Sequence, residues 1–368
     1  MTPSNNAAFL TAKATPLKIQ SAPYTPPGEN EIVVKNAAVA INPYDYIVQE
    51  APGLVVSWAK MPIVLGTDIA GQVVEIGKGV KRFKVGDRVV AYSAAMTKKA
   101  NRSCEGGFQE YTVVRTNLAS IIPQSMPYES AAVLPLGLGT AAGALFQKDL
   151  LALPLPTTSP TPTGKAVLVW GGSTSLGCNA IQLARAAGCE VITTASPKNH
   201  AYLKELGAAE VFDYKSPTVV KDIISAFKTR DCAGALAIGR GSSKACIDII
   251  AGCKGNKCVV QATLDFPDFP KGALAFPGFL VGMVGAIGSV YIQTKLKGVT
   301  AKFVNGGDLI ATEVGKAIYE DYLPAALEQN AFIPSPKPHV VGHGLEHLQE
   351  AMNMSKKGVS ATKLVVTL

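Results

Sequence analysis

The sequence predicts an α/β chain in which a β-rich N-terminal unit precedes a doubly wound parallel sheet. Three observations carry that prediction. Over the first 130 residues, short Val- and Ile-rich runs end in Gly-Asp and Gly-Lys turns, as strands of a unit folded on itself do. From about residue 165, apolar runs alternate with amphipathic segments, the rhythm of strands and crossover helices. Finally, "VLVWGGSTSLGCNAIQLARAAGCEVITTAS", residues 167 to 196, joins strand, glycine turn, helix and strand in one stretch. At 368 residues the chain is long enough for two domains with ample core.

The early strands are "EIVVKNAAVAI" (31 to 41), "GQVVEIGKGV" (71 to 80) and "GDRVVAY" (86 to 92). "LPLPTTSPTPTG" (153 to 164), with proline at 154, 156, 160 and 162, predicts an extended, exposed excursion. "KAVLVWGG" then reads as a buried strand, and residues 178 to 187 place apolar side chains at 180, 181, 183, 184 and 187 before Gly188. That is an amphipathic helix with a glycine cap. The alternation continues through strand "EVITT" (190 to 194), a helix from Pro197 to Leu206, strand "AEVFDY" (209 to 214) and a helix near 218 to 227. Strand "ALAI" (235 to 238), a helix near 243 to 250 and strands "KCVVQA" (257 to 262) and "VTAKFV" (299 to 304) complete it. Strands that alternate with helices in this way build a parallel sheet covered on both faces, with its ligand crevice at the strand ends.

Between 263 and 298 the stretch "LDFPDFPKGALAFPGFLVGMVGAIGSVYIQ" fits neither period. It reads equally as the wall of a substrate pocket or partner surface, and as a connecting helix and loop packed on the core. "GDLIATEVGKAIYEDYLPAALEQN" predicts a helix broken by proline, and "ATKLVVTL" a closing strand that returns to the first domain. The expected division is 1–133, 134–305 and 306–368, the last being the return.

Composition narrows the function. Forty-eight per cent apolar and 17 % charged residues describe an ordinary globule, and no apolar run free of charge and proline reaches the ~18 residues of a membrane span. No membrane contact is expected. The first twenty residues lack the basic head and apolar run of a secretory signal, so the default compartment is the cytoplasm. Seven cysteines, at 104, 178, 189, 232, 246, 253 and 258, form an odd set without C-x-x-C, which suits reduced thiols and neither a disulfide framework nor a zinc knuckle. The net charge of +8 is scattered apart from Lys98-Lys99 and Lys356-Lys357. That is a solvated surface, with no nucleic-acid partner expected.

In the glycine turn, a strand end and a helix N-terminus bring backbone N–H groups and the positive end of a helix dipole to one spot, which suits a pyrophosphate. The candidate phosphate contacts are Gly172, Ser173, Thr174, Ser175 and Leu176. Thr174 stands where the middle glycine of the dinucleotide fingerprint would fall, and the hydroxyls of residues 173 to 175 are candidate donors in compensation. In NAD-preferring sheets an acid at the end of the second strand binds the adenosine ribose and repels a 2′-phosphate. Here that strand ends "TTASPKN". No carboxylate stands there, Ser196, Lys198 and Asn199 do, and Tyr214 ends the third strand. The expected coenzyme is therefore NADPH, the alternative for Lys198 being a solvated first-turn lysine.

"AINPYD" (40 to 45), "LGTDIAG" (65 to 71), "VGDRV" (85 to 89), "GGFQEYTVV" (106 to 114) and "GLGTAAGAL", followed by this sheet, resemble the medium-chain dehydrogenase/reductase superfamily. The resemblance covers nearly the whole chain and points to the zinc-free branch, which includes quinone reductases and trans-acting enoyl reductases. "GGSTS", "SPKN", "GAAEVFDY" and the proline-rich insert are most similar to fungal trans-acting enoyl reductases of secondary metabolism and to fungal concanamycin-induced protein B-like chains. The resemblance implies a GroES-like catalytic domain beside a Rossmann domain, with NADPH in the cleft between them. By the same resemblance the nicotinamide lies near Asn42, Thr140, Ala262 and Thr263. Zinc alcohol dehydrogenases use a Cys, His and Cys set to polarise a carbonyl. This chain has Asn42, Thr67 and Leu136 at the matching positions, so no metal is expected. Where some enoyl reductases carry a lysine two residues beyond the aspartate of "NPxD", Ile47 stands.

Hydride transfer needs donor and acceptor carbons held within about 3.5 Å, and positioning alone supplies much of the rate. Charge growing on the acceptor's carbonyl oxygen calls for a nearby donor. Tyr44 and Tyr46, beside Asn42, are the candidates, the alternative for each being an aromatic packing residue. His339, His343 and His347 recur every four residues, but Gly342 and Gly344 interrupt the helix that a metal face would need. The expected activity is reduction of an activated C=C bond in an enoyl thioester or enone. A quinone acceptor, and a non-catalytic NADPH-binding scaffold, are the alternatives. A carrier-protein or synthase partner is compatible with an acyl acceptor, and both monomer and homodimer with the branch.

Overall fold

Strand Glu31–Ala40 leaves only Lys35 exposed along ten residues. It pairs along one edge with Asp68–Ile76, and along the other with Tyr111–Arg115 and then Thr362–Thr367. A strand paired on both edges and covered on both faces has to be apolar nearly throughout, which explains a run that lacks strict alternation. The computed structural model describes residues 3–268, 270 and 273–368. These form two units, Met1–Gly139 with Gly307–Leu368, and Thr140–Gly306. The sequence places the divisions after residues 133 and 305.

The first unit contains a seven-stranded sheet. From one edge the order is Lys337–His343, Thr362–Thr367, Glu31–Ala40, Asp68–Ile76, Arg88–Tyr92 and Ala119–Ile121, with Tyr111–Arg115 beside Glu31–Ala40. Asn5–Leu10 pairs with Lys18–Ala22 and Ile63–Val64 in a smaller sheet. Their inner faces share a core that includes Leu10, Ile32, Val34, Leu65, Ile69, Phe108 and Val366. The closing strand meets Glu31–Ala40 in antiparallel register, Val365 opposite Ala40. The predicted return is therefore a ladder within this sheet.

The second unit carries six parallel strands in the order Glu210–Phe212, Glu190–Thr194, Lys165–Trp170, Asp231–Ala237, Cys258–Gln261 and Thr300–Phe303. The order reverses between Lys165–Trp170 and Asp231–Ala237, which defines a switch point at their C-terminal ends. Ala166, Leu168, Ile192, Ile223, Ala235, Ile247 and Val259 pack one face. The proline-rich excursion lies in no helix or strand, and its Thr157 and Thr163 N–H groups donate to Ala186 and Gly188 carbonyls at 2.9 and 2.8 Å. All seven cysteines are free thiols, six of them buried.

Two segments take a more definite form than the sequence gives. Of the stretch from 263 to 298, Phe269, Lys271 and Gly272 lie outside the described residues, and Phe276–Lys297 is one 22-residue helix. Phe279 and Thr294 are buried, and Gln293 Nε2 donates to Asp248 Oδ1 of helix Ser242–Gly252 at 2.6 Å. Val281, Val284, Ile287, Tyr291 and Ile292 face outward and are exposed. By length and composition this helix, like the mostly buried Tyr128–Phe146, is long and apolar enough to cross a membrane. Four glycines spaced three or four apart, at 278, 282, 285 and 288, lower the intrinsic helix propensity and hide the helix from pattern reading. After 306 a 3-10 turn, Gly306–Ala311, precedes three helical stretches that follow one another without a gap, Glu313–Lys316, Ala317–Tyr322 and Leu323–Glu328; the middle one is a π-helix, and Pro324 lies in the first turn of the last. His339 and His343 lie on strand Lys337–His343 and His347 in the turn Leu345–His347, so the three share no helix.

Candidate active site

In the second unit the turn after Lys165–Trp170 is fixed by its glycines. Gly171 adopts φ +87°, open chiefly to glycine. A Cβ on Gly172 would lie 2.2 Å from Thr193 Oγ1, and one on Gly177 would lie 2.3 Å from the Gly171 carbonyl oxygen and 2.7 Å from Gly172 Cα. The helix Ser175–Ala186 can therefore start this close to the strand only without side chains there. Thr194 Oγ1 accepts from the Gly171 N–H at 3.0 Å, and the Thr194 carbonyl from the Gly172 N–H at 2.9 Å.

Thr174 departs from its predicted role. Its hydroxyl donates to the Gly171 carbonyl at 2.8 Å and accepts from the Gly177 N–H at 3.0 Å. It is the helix N-cap, occupied within the turn. Ser175 Oγ, by contrast, is buried without a partner, and no acceptor among the described residues takes the N–H groups of Ser175 and Leu176. Unsatisfied donors at the positive end of a twelve-residue helix fit a phosphate group.

The neighbouring strand ends hold the residues predicted to read a 2′-phosphate. Thr194 stands opposite Phe212 in the parallel register, so Ser196 and Tyr214 each follow a register pair by two residues. Lys198 is exposed and has no ion-pair partner among the described residues, Tyr214 is 42 % exposed, and Lys215 Nζ lies 5.9 Å from the Tyr214 ring centroid. Lys215, a second cation at this edge, is not marked out by the sequence pattern. Asn199 is buried and closes the turn Pro197–Asn199. At the switch-point side, Thr263 Oγ1 accepts from the Gly239 N–H at 3.1 Å, and the Ala262 N–H donates to the Ala237 carbonyl at 2.9 Å. Thr140, half-buried, lies in helix Pro135–Phe146.

In the first unit, Asn42 stands immediately before helix Pro43–Glu50, and its N–H donates to Asp45 Oδ2 at 2.7 Å. Asn42 Nδ2 donates to Thr67 Oγ1 at 2.9 Å, and Thr67 Oγ1 lies 3.4 Å from Asp68 Oδ1. The other contact of that oxygen is the Leu136 N–H at 2.7 Å. Positions 42, 67 and 136, far apart in sequence, thus meet around Asp68. They are joined by Lys363, which pairs with Asp68 Oδ2 at 2.9 Å and donates to Asn42 Oδ1. Asn42, Thr67, Asp68 and Lys363 are all at least 96 % buried. Among the described residues no three His, Cys, Asp or Glu side chains are grouped to hold a metal ion. A carboxamide, a hydroxyl and an aliphatic side chain at 42, 67 and 136 are a poor donor set for zinc.

Burial pushes the Asp45 carboxyl up to about 7, with the charge of Asp68 adding to the shift and the Asn42 N–H and Lys363 opposing it. Burial, with Asp45 adding to it, likewise raises the Tyr44 phenol to about 12. Tyr44 therefore keeps its proton at neutral pH, and its hydroxyl has no partner among the described residues. Tyr46 packs against the same core. Sequence reasoning missed Asp68 and Lys363. The available signal was weak: Lys363 is the one charged residue of strand Thr362–Thr367, and Asp68 opens strand Asp68–Ile76, which also carries Glu75.

Residues 28–124 match the alcohol dehydrogenase GroES-like domain family, and residues 175–266 the zinc-binding dehydrogenase family. The chain is 49% identical to dehydrogenase pigH of Monascus ruber over 100% of both chains. It is 38% identical to trans-enoyl reductase himH of Aspergillus japonicus, over 92% of this chain and 90% of that one. Among solved structures, the quinone oxidoreductase from Coxiella burnetii has a TM-score of 0.68 at 23% identity, covering 100% of both chains. That last likeness is one of fold.

Proposed function

We propose, for a chain that belongs to the medium-chain dehydrogenase/reductase family, that it is an NADPH-dependent, metal-free reductase of activated C=C bonds. Its acceptor on this reading is an enoyl thioester or an α,β-unsaturated carbonyl compound. The family fold implies a nicotinamide coenzyme. The observation that carries the choice of NADPH is the end of strand Glu190–Thr194, where Ser196 and a Lys198 with no ion-pair partner among the described residues follow and the sequence has no carboxylate. The trans-enoyl reductase among the relatives supports the choice of acceptor.

When bound, NADPH supplies the hydride. The chain's own contribution is to hold and to polarise. The free N–H groups of Ser175 and Leu176, with the Ser175 hydroxyl, bind the pyrophosphate, while Ser196, Lys198 and Tyr214 bind the 2′-phosphate. Asn42 in the first unit, and Thr140, Ala262 and Thr263 in the second, are the residues to which the family resemblance assigns the orientation of the reacting ring. Tyr44 is the donor to the acceptor's carbonyl oxygen, because its hydroxyl has no partner among the described residues and can offer a hydrogen bond as negative charge develops there.

The test is the decay of NADPH absorbance with crotonyl thioester, a panel of enones, quinones and aldehydes. Turnover of the thioester or enones at least tenfold faster than of the others is expected. Preference for a quinone reassigns the acceptor, and tight NADPH binding without decay turns the protein into a coenzyme-binding scaffold. Aldehyde reduction that requires added zinc overturns the proposal.

A further inference from the structure

Lys363 is the one lysine among the described residues that is buried, at 4 % exposure. Burying an ammonium costs several kcal/mol, and a well-packed apolar side chain in place of a buried pair is often neutral or stabilising. Its presence calls for a reason other than stability. The Ile41 N–H donates to the Leu364 carbonyl at 2.9 Å, which sets residue 363 of the closing strand beside residue 42. The ammonium there contacts two oxygens of different kinds, the Asp68 carboxylate and the Asn42 carboxamide.

A carboxamide can present either end to its surroundings, and its orientation is set by what donates and what accepts around it. Lys363 has only protons to give, so it selects Oδ1. Thr67, whose own hydroxyl hydrogen points toward Asp68 Oδ1, accepts from Nδ2. Both ends of Asn42 are thereby committed.

We infer that Lys363 is a positioning residue: its ammonium is the internal cation that fixes the Asn42 carboxamide and compensates Asp68 at the meeting point of positions 42, 67 and 136. The inference rests on Asn42 acting in the proposed reduction. It assigns a function to the last strand of the chain, whose Lys363 side chain completes a site begun 321 residues earlier.

Lys363→Met alone leaves Asp68 charged and unpaired, so the informative variant is Asp68→Asn combined with Lys363→Met, which removes both charges and is expected to fold with a melting temperature near that of the parent. Its kcat for enone reduction is expected to fall at least tenfold with KM for NADPH changed less than threefold. In Lys363→Ala, n-propylammonium is expected to restore part of kcat and 1-propanol none. A folded double variant with kcat within twofold of the parent overturns the inference, as does equal rescue by the alcohol. A second readout is independent of turnover: hydrogen exchange of the Asn42 side-chain amide, assigned by its loss in Asn42→Asp, is expected to accelerate at least tenfold in the folded double variant. If the parent reduces no acceptor, the reading of the reaction fails and this exchange alone decides, unchanged exchange refuting the role of Lys363.

Discussion

The glycine turn and the buried cluster around Asp68 solve opposite problems by opposite means. At the turn, residues 171 to 177 suffice on the proposed reading: backbone N–H groups and the Ser175 hydroxyl bind, glycines clear the space, and the Thr174 hydroxyl serves as a cap. Around Asp68 the backbone contributes little beyond the Leu136 N–H. Side chains from residues 42, 67, 68 and 363 meet one another in the buried interior, Lys363 and Asp68 as an ion pair. The first arrangement tolerates many side chains but requires absent ones. The second requires particular charges and tolerates no unpaired partner.

The comparison breaks most sharply on pH, since only the buried cluster contains ionisable groups. Asp45 has a carboxyl raised to about 7 in the folded chain, against an ordinary value near 4 when unfolded. Between those values the unfolded chain has released a proton that the folded chain keeps. Stability contributed by this group is therefore full below about pH 4, falls as pH rises, and levels off above about 7. The difference is on the order of 4 kcal/mol. Urea midpoints at pH 4.5 and 8 should show Asp45→Asn losing less stability than the parent over that interval. Parallel losses would mean that Asp45 is ionised in both states.

At the turn the sensitive quantity is volume. Gly177→Ala adds one carbon 2.3 Å from the Gly171 carbonyl oxygen, and overpacking of a fixed backbone costs about 1–3 kcal/mol. Coenzyme binding should weaken by at least tenfold because the helix N-terminus is pushed from the strand. Fluorescence titration with NADPH measures it, and a Gly177→Ala chain that binds as the parent does would show that the turn has room. Gly86, where an added Cβ would meet nothing within 4 Å but φ is +96°, offers a control for backbone strain without crowding.

The contrast also explains what the sequence reveals. The turn is contiguous, so the strand, the glycines and the missing acid after Thr194 are all readable at once, and the six parallel strands appear where the apolar runs stand. Thr174 reads as a phosphate donor in the sequence because a pattern shows that a hydroxyl is present and not where its hydrogen bonds go. Asn42 is readable from "NPYD" by resemblance. Its partner is not, because Lys363 reaches it only once the closing strand has paired with Glu31–Ala40. Helix Phe276–Lys297 is only one of two alternatives in the sequence for a third reason, since its glycines and outward apolar side chains obey neither the period nor the burial of an ordinary helix.

The smallest expected effect is the most specific. Lys198 is exposed, so its charge acts through water, and one solvated ion pair with a phosphate contributes about 1 kcal/mol or less. Lys198→Ala should therefore weaken NADPH binding about fivefold and leave NADH binding unchanged within twofold, because only the 2′-phosphate distinguishes the two. Raising the salt from 50 to 500 mM should erase much of the parent's preference and little of the variant's, as screening removes the same contribution. Calorimetric titrations of both coenzymes with both chains give the four constants needed. Equal losses for the two coenzymes would place Lys198 in the general stability of the turn Pro197–Asn199, and would transfer the reading of the 2′-phosphate to Lys215, whose ammonium lies 5.9 Å from the Tyr214 ring centroid.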